Sequence, residues 1–218
     1  FPADTIQVVP TTDRGAIPEL LSLTRFVDLC IPRGGESLIR AVTECSHVPV
    51  IKHYKGVCHV YIDADADAAM AEEIVFNSKV HRPGVCNAAE TLLVDTSVAT
   101  DVLPRLAKRL AKANVELRGD KPTQALLDGS GVEITPASAA DWEEEYLDLV
   151  LSVKIVDGVG EAIEHINTHG SGHTETIVTG DSTAARRFQT EVDSSTIFWN
   201  ASTRFSDGME FGMGAEIG

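Results

Sequence analysis

The sequence predicts an α/β protein with a parallel sheet. Short strand-like runs alternate with amphipathic helical stretches along the chain, the rhythm of βαβ units. Gly-Gly and Pro-Gly pairs fall between those runs, where turns belong. At 218 residues and 43% hydrophobic content there is enough apolar material for a real core, in one large domain or two small ones.

The first fifty residues alternate quickly. Residues 6–9 read as a strand, 17–24 as a helix, 26–31 as a strand, 37–45 as a helix and 48–51 as a strand. Between a strand and a helix, Arg33-Gly34-Gly35-Glu36-Ser37 offers a phosphate the free N–H groups of Gly34, Gly35 and Ser37 and a helix dipole. Two glycines also simply make a turn, and Glu36 repels an anion unless it points away, so both readings stand. After the basic, aromatic connection Lys52-His53-Tyr54-Lys55-Gly56, the alternating residues 57–62 form a strand. Asp63, Asp65 and Asp67 begin like a calcium loop, but Ala68 stands where the turning glycine belongs and Ile74 where the closing glutamate belongs. The acids suit instead the first turn of a helix running through Met70, Ile74 and Val75 to Lys79, where they complement its dipole.

Residues 102–113 place Val102, Leu103, Leu106 and Leu110 on one face and Arg105, Lys108, Arg109 and Lys112 on the other, an amphipathic helix lying on a sheet. Residues 115–118 and 132–134 read as short strands, the second at an edge, with a helical turn at 124–127. In the last third, 146–156 is strand-like, 159–168 helical, 175–179 a strand, 184–191 a helix and 196–200 a strand. His165, His169 and His173 fall four apart, but Gly170 and Gly172 break the helix that would stack them, and no glutamate adjoins His165. No metal site is expected. The opening Phe1-Pro2-Ala3-Asp4 and the glycine-rich residues 204–218 both read as cuts through a longer fold.

A formal net charge of −15 argues against nucleic acid and against anionic membrane surfaces. No apolar run approaches a membrane span. Most of the acidic excess lies beyond residue 120, as a solvated face. Cys30, Cys45, Cys58 and Cys86 never form a Cys-x-x-Cys pair, which removes zinc ribbons and thioredoxin-like motifs and fits a reducing, cytoplasmic setting.

One cysteine has a distinctive setting. Pro83 and Gly84 break the preceding helix and deliver Cys86 at the start of a new ordered segment, anchored by the strand-like Leu92-Leu93-Val94. Arg82, Lys79 and uncommitted backbone amides would favour its thiolate. The alternative is a small buried hydrophobe, the usual fate of a free cysteine.

Three segments carry a resemblance: RPGVCNAAETLLV at 82–94, HGSGHTE at 169–175 and FWNASTRFSDG at 198–208. In order and spacing they resemble the gamma-glutamyl phosphate reductases, or glutamate-5-semialdehyde dehydrogenases, of the aldehyde dehydrogenase superfamily, and the resemblance runs over essentially the whole chain. It implies an aldehyde dehydrogenase-like α/β fold, in which residues 1–55 are the C-terminal part of a Rossmann-like nucleotide-binding domain. Residues 56–218 would then be the cysteine-bearing catalytic domain, cut short at its end. The activity implied is NADPH-dependent reduction of L-glutamyl 5-phosphate to L-glutamate 5-semialdehyde and phosphate, in proline biosynthesis.

The resemblance makes Cys86 the nucleophile and Asn87, His173, Ser202, Thr203 and Arg204 the substrate contacts, with the Arg204 guanidinium on the α-carboxylate. It makes Gly34, Gly35, Ser37 and Glu145 the NADP(H) contacts. Glu145 enters because Glu144-Glu145-Tyr146 resembles the superfamily's Glu-Glu-x-Phe-Gly-Pro, although Leu147-Asp148-Leu149 replaces the rest of that motif. Where hydrolytic members carry Glu-Leu-Gly-Gly, this chain has Ile51-Lys52-His53-Tyr54, so water is not activated and the acyl-enzyme is left to exchange with phosphate. Lys52, His53 and Lys55 would attract that anion, or form only a solvated basic turn. Glutamate 5-kinase and further copies of the chain are the partners implied. The alternatives are a hydrolytic aldehyde dehydrogenase and a non-catalytic fragment, since half a nucleotide fold binds cofactor poorly.

Overall fold

The computed structural model describes residues 2–214; residues 1 and 215–218, at the ends read above as cuts, lie outside it. The chain divides into two units, one up to Tyr54 and one from Lys55 onward.

In the first unit α1 (Ala16–Leu21) and α2 (Glu36–Cys45) pack through Leu21, Val42 and Val48, with Ile17, Val27 and Leu38 around them. The two expected helices are present, whereas the expected strands are not. Residues 6–9 are irregular, with Ile6 and Val8 86% and 88% exposed. Residues 26–31 and 48–51 meet in a single parallel bridge, Cys30 to Val50. An apolar run becomes a strand only where a neighbour takes its hydrogen bonds and a core takes its side chains. The described residues of this unit offer 6–9 neither.

The second unit runs β1 (Cys58–Ile62), α3 (Ala68–Val80), β2 (Ala89–Asp95), α4 (Thr96–Lys112), β3 (Glu116–Gly119), α5 (Lys121–Leu127), β4 (Ile134–Pro136), β5 (Val150–Val156), α6 (Gly158–His169), β6 (Thr174–Val178), α7 (Ser182–Glu191) and β7 (Thr196–Trp199). Its seven strands lie in the order β4-β3-β5-β2-β1-β6-β7, with every pair parallel. Such a sheet must be covered on both faces. Val60, Ile62, Leu92 and Val94 point to one face and bury against Val75, Leu103, Leu106 and Leu110 of α3 and α4. Tyr61, Leu93 and Ile177 point to the other and bury against Ile163, Ile166 and Phe188 of α6 and α7.

Four helices open on an aspartate whose carboxylate accepts an otherwise orphaned N–H: Asp67 from Met70, Asp95 from Ser97, Asp120 from Thr123 and Asp181 from Thr183. These caps carry α4 and α5 upstream of the apolar patterns that mark them in the sequence. Residues 146–149 stay outside β5, because Leu147 takes a φ of 54° and turns the chain. Among the described residues no helix is long and apolar enough to cross a membrane. With all strands running one way, the segments that lead into them share one edge of the sheet.

Candidate active site

Four residues of interest lie in the segments at that shared edge. Gly56 lies just before β1, Cys86 before β2, Glu145 before β5 and His173 before β6. Open parallel sheets usually bind ligands at the carboxyl ends of their strands. Here the cluster stands at the amino ends.

The turn at Pro83-Gly84 leaves Cys86 exposed, while Cys58 is buried and Cys30 and Cys45 are half-buried. The loop under Cys86 is pinned. The Cys58 thiol donates to the Cys86 carbonyl at 3.2 Å, and burial, then the charge of Glu175, push that thiol's pKa well up, so it remains a donor. Gly56 lies so close to the same carbonyl that a Cβ would sit 2.0 Å from its oxygen. The Gly56 N–H donates to Glu145 Oε1 at 2.7 Å, and the Val57 N–H to Ser171 Oγ at 2.9 Å. Asn87 is buried beside Cys86; its Nδ2 donates to the Ser206 carbonyl at 2.8 Å, and its Oδ1 has no hydrogen-bond partner among the described residues.

The Glu145 segment is fixed in turn. The Tyr146 hydroxyl donates to Asp141 Oδ1, and Arg118 donates to the same oxygen, each at 2.7 Å. Burial works against the Asp141 carboxylate, but Arg118, Ser138 and Tyr146 outweigh it and hold its pKa well below the usual range.

The other expected residues are distributed unevenly. His173 is half-buried, with Nδ1 3.7 Å from Cys58 Sγ and 2.8 Å from Thr174 Oγ1. Arg204 is half-buried at the end of α3, where its Nε donates to His81 Nδ1 at 3.4 Å. Ser202 and Thr203 are buried and turned onto α3: the Ser202 hydroxyl meets that of Ser78 at 3.0 Å, and the Thr203 N–H donates to Ser78 Oγ at 3.2 Å. Lys79 is not the surface cation the sequence suggested. It is 0% exposed and paired with Glu90 at 2.6 Å, because a buried ammonium needs a carboxylate. Lys55 donates to the Glu143 carbonyl at 2.7 Å.

Gly34, Gly35 and Ser37 belong to the first unit. No side chain caps α2 after Gly35, and Glu36 turns along the helix to Arg40 at 2.6 Å. The amides there fit an anionic group such as a cofactor phosphate, and the carboxylate that threatened to repel it is neutralised. Among the described residues, no three His, Cys, Asp or Glu side chains are placed to hold a metal ion.

No family model matches the chain. Its likeness to individual proteins is strong: it is 55% identical over 219 residues to the gamma-glutamyl phosphate reductase of Opitutus terrae, covering 100% of this chain and 52% of that protein. The crystal structure of gamma-glutamyl phosphate reductase from Thermotoga maritima superposes with a TM-score of 0.92 at 42% identity, over 96% of this chain and 50% of that one. Over its whole length this stretch is similar to gamma-glutamyl phosphate reductases. It spans about half the length of the curated relatives it matches. The NADP-dependent glyceraldehyde-3-phosphate dehydrogenase of Bacillus halodurans, complexed with NADP, shares the fold at a TM-score of 0.69 and 19% identity, over 88% of this chain and 48% of that one. The family's fold is therefore the aldehyde dehydrogenase type expected from the sequence.

Gly56 and Glu90 were not singled out in the sequence. Glu90 carried a signal: an acid inside a run otherwise fit for a buried strand must have a cation or donor waiting for it. Gly56 carried none beyond being a glycine after a basic turn.

Proposed function

We propose that this chain supplies the thiol-bearing part of an NADP-dependent glutamate-5-semialdehyde dehydrogenase that reduces L-glutamyl 5-phosphate for proline biosynthesis. The observation that carries this is the exposed Cys86 on a loop whose carbonyl is pinned by Cys58 and packed against Gly56. The Cys86 thiolate attacks the acyl phosphate carbonyl and phosphate leaves, forming a thioester. NADPH, when bound, supplies the hydride that reduces it. The thiohemiacetal on Cys86 then collapses, takes up a proton and releases the semialdehyde and the free thiol.

The residues proposed for the substrate are Asn87, with its unpartnered buried Oδ1, together with His173 and Arg204. Ser202 and Thr203 support Arg204 by holding its 3-10 turn on α3. Gly34, Gly35 and Ser37 are proposed for the cofactor's phosphates, and Glu145 for its ribose. We assign the first unit to the latter part of the nucleotide-binding domain and the second to the catalytic domain. The reading calls for glutamate 5-kinase as the source of the acyl phosphate, for assembly of further copies, and for the cytoplasm, where cysteines stay reduced.

The test is iodoacetamide labelling with peptide mapping, joined to turnover. Cys86 is expected to label ahead of Cys30, Cys45 and Cys58, and in the complete enzyme Cys86→Ala to abolish turnover while leaving folding and NADPH affinity largely intact. In the reverse direction aldehyde oxidation should require phosphate or arsenate; oxidation without either would replace this reading with a hydrolytic enzyme.

A further inference from the structure

Glu90 is fully buried at the start of β2, four residues past Cys86. Its Oε2 accepts from Lys79 Nζ at 2.6 Å and its Oε1 from the Leu147 N–H at 3.3 Å. Lys79 sits in the last turn of α3, its ammonium 6.0 Å from the centre of the Tyr146 ring. The loop bearing Cys86 begins where α3 ends and finishes where β2 begins, so the ion pair closes its base. Glu90 also holds the segment before β5 through Leu147, whose φ of 54° needs such a hold. Two residues back, Glu145 accepts from Gly56, and Gly56 packs on the Cys86 carbonyl. The contacts form a closed ring from Cys86 through Gly56, Glu145, Leu147 and Glu90 back along the chain to Cys86.

Stability alone does not explain such a pair, because apolar residues of similar volume do as well or better in a core. Directed bonds to a carboxylate do what apolar contacts cannot: they fix which backbone groups meet. Burial pushes the Glu90 carboxyl up and the Lys79 ammonium down, each opposed by the other's charge. Among the described residues, the other charged or titratable groups facing the pair include Glu145, Tyr146 and Asp148 before β5 and Cys58 on β1.

We propose that Glu90, held by Lys79, is a positioning residue for Cys86: it sets the height of the thiol above the sheet edge by tying the base of its loop to the Glu145–Gly56 support. The proposal rests on the reading of Cys86 as nucleophile. Its test compares the rate of Cys86 alkylation by iodoacetamide, the kcat and the KM in wild type, Lys79→Met/Glu90→Gln and Glu90→Asp. The double variant leaves no buried charge in the pair, and the amide NH2 it buries opposite Met is expected to lower the Tm only modestly. Its Cys86 should react more slowly, and its kcat should fall about ten- to a hundred-fold with a smaller change in KM. Glu90→Asp keeps the charge but draws the carboxylate away from Leu147, so it should show the same slowing even if the double variant fails to fold. Unchanged alkylation in whichever variant folds would reduce the pair to a folding element and overturn the proposal. Alkylation uses no substrate, so a complete wild-type enzyme that labels at Cys86 yet does not turn over glutamyl 5-phosphate would remove the reductase reading and leave this one standing.

Discussion

A methyl group added at Gly56 would meet a backbone oxygen, that of Cys86, and backbone cannot swing aside as a side chain does. One of the two loops must move. Gly56→Ala is expected to cost about 1–3 kcal/mol of stability by urea denaturation, as overpacking does, and to alter the alkylation rate of Cys86 as well. His165 makes a different kind of prediction. It is buried among His59, Trp142 and His169, with ring centres 5.7, 5.4 and 4.7 Å away. Burial, then His59, Lys154 and His169, push its pKa far down, so the folded protein keeps the ring neutral. The unfolded chain protonates it below about pH 6.5. Its share of stability is therefore complete above that pH and lost as the pH falls, at about 1.4 kcal/mol per pH unit. His165→Gln should flatten the dependence of Tm on pH between about 6.5 and 4.5, and an unaltered slope would assign the titration elsewhere.

Among the elements, the aspartates that open four helices show how local chemistry sets boundaries. Asp67 is exposed and accepts from Met70 at 2.7 Å. Asp67→Ala should cost about 1 kcal/mol and Asp67→Asn little, measured by chemical denaturation. The same reading explains the acidic run before α3: Asp63 receives the Tyr61 and Thr179 hydroxyls, and Asp67 caps the helix. Ser78 is the corresponding hinge on α3 for the 3-10 turn Thr203–Phe205. Ser78→Ala leaves the buried Thr203 N–H unpaired and should cost about 1–3 kcal/mol, with a rise in KM if Arg204 holds the substrate carboxylate.

For the whole molecule, the division at Tyr54 suggests that a fragment starting at Lys55 folds by itself. It is expected to unfold in one transition and to keep Cys86 labelling while losing measurable NADPH binding by calorimetry; tight binding would move the cofactor site out of the first unit. The helices and most strands of the second unit were legible in the sequence, because each carries its own period, as α4 does in its leucine stripe; the acids expected in the first turn of α3 lie ahead of it instead, with Asp67 as its cap. The strand-like 6–9 misled for the opposite reason, since alternation shows what a segment can do when paired and not whether a pair exists. By itself the sequence determined an α/β chain with an isolated cysteine after a Pro-Gly turn, because periodicity and turn chemistry are local properties. Only the tertiary structure decided that Lys79 is spent on Glu90, that Ser202 and Thr203 face inward, and that Gly56 and Glu145 meet under Cys86. Those contacts join residues far apart in the chain, and parallel strands bring their leading segments to one edge wherever those segments lie in the sequence.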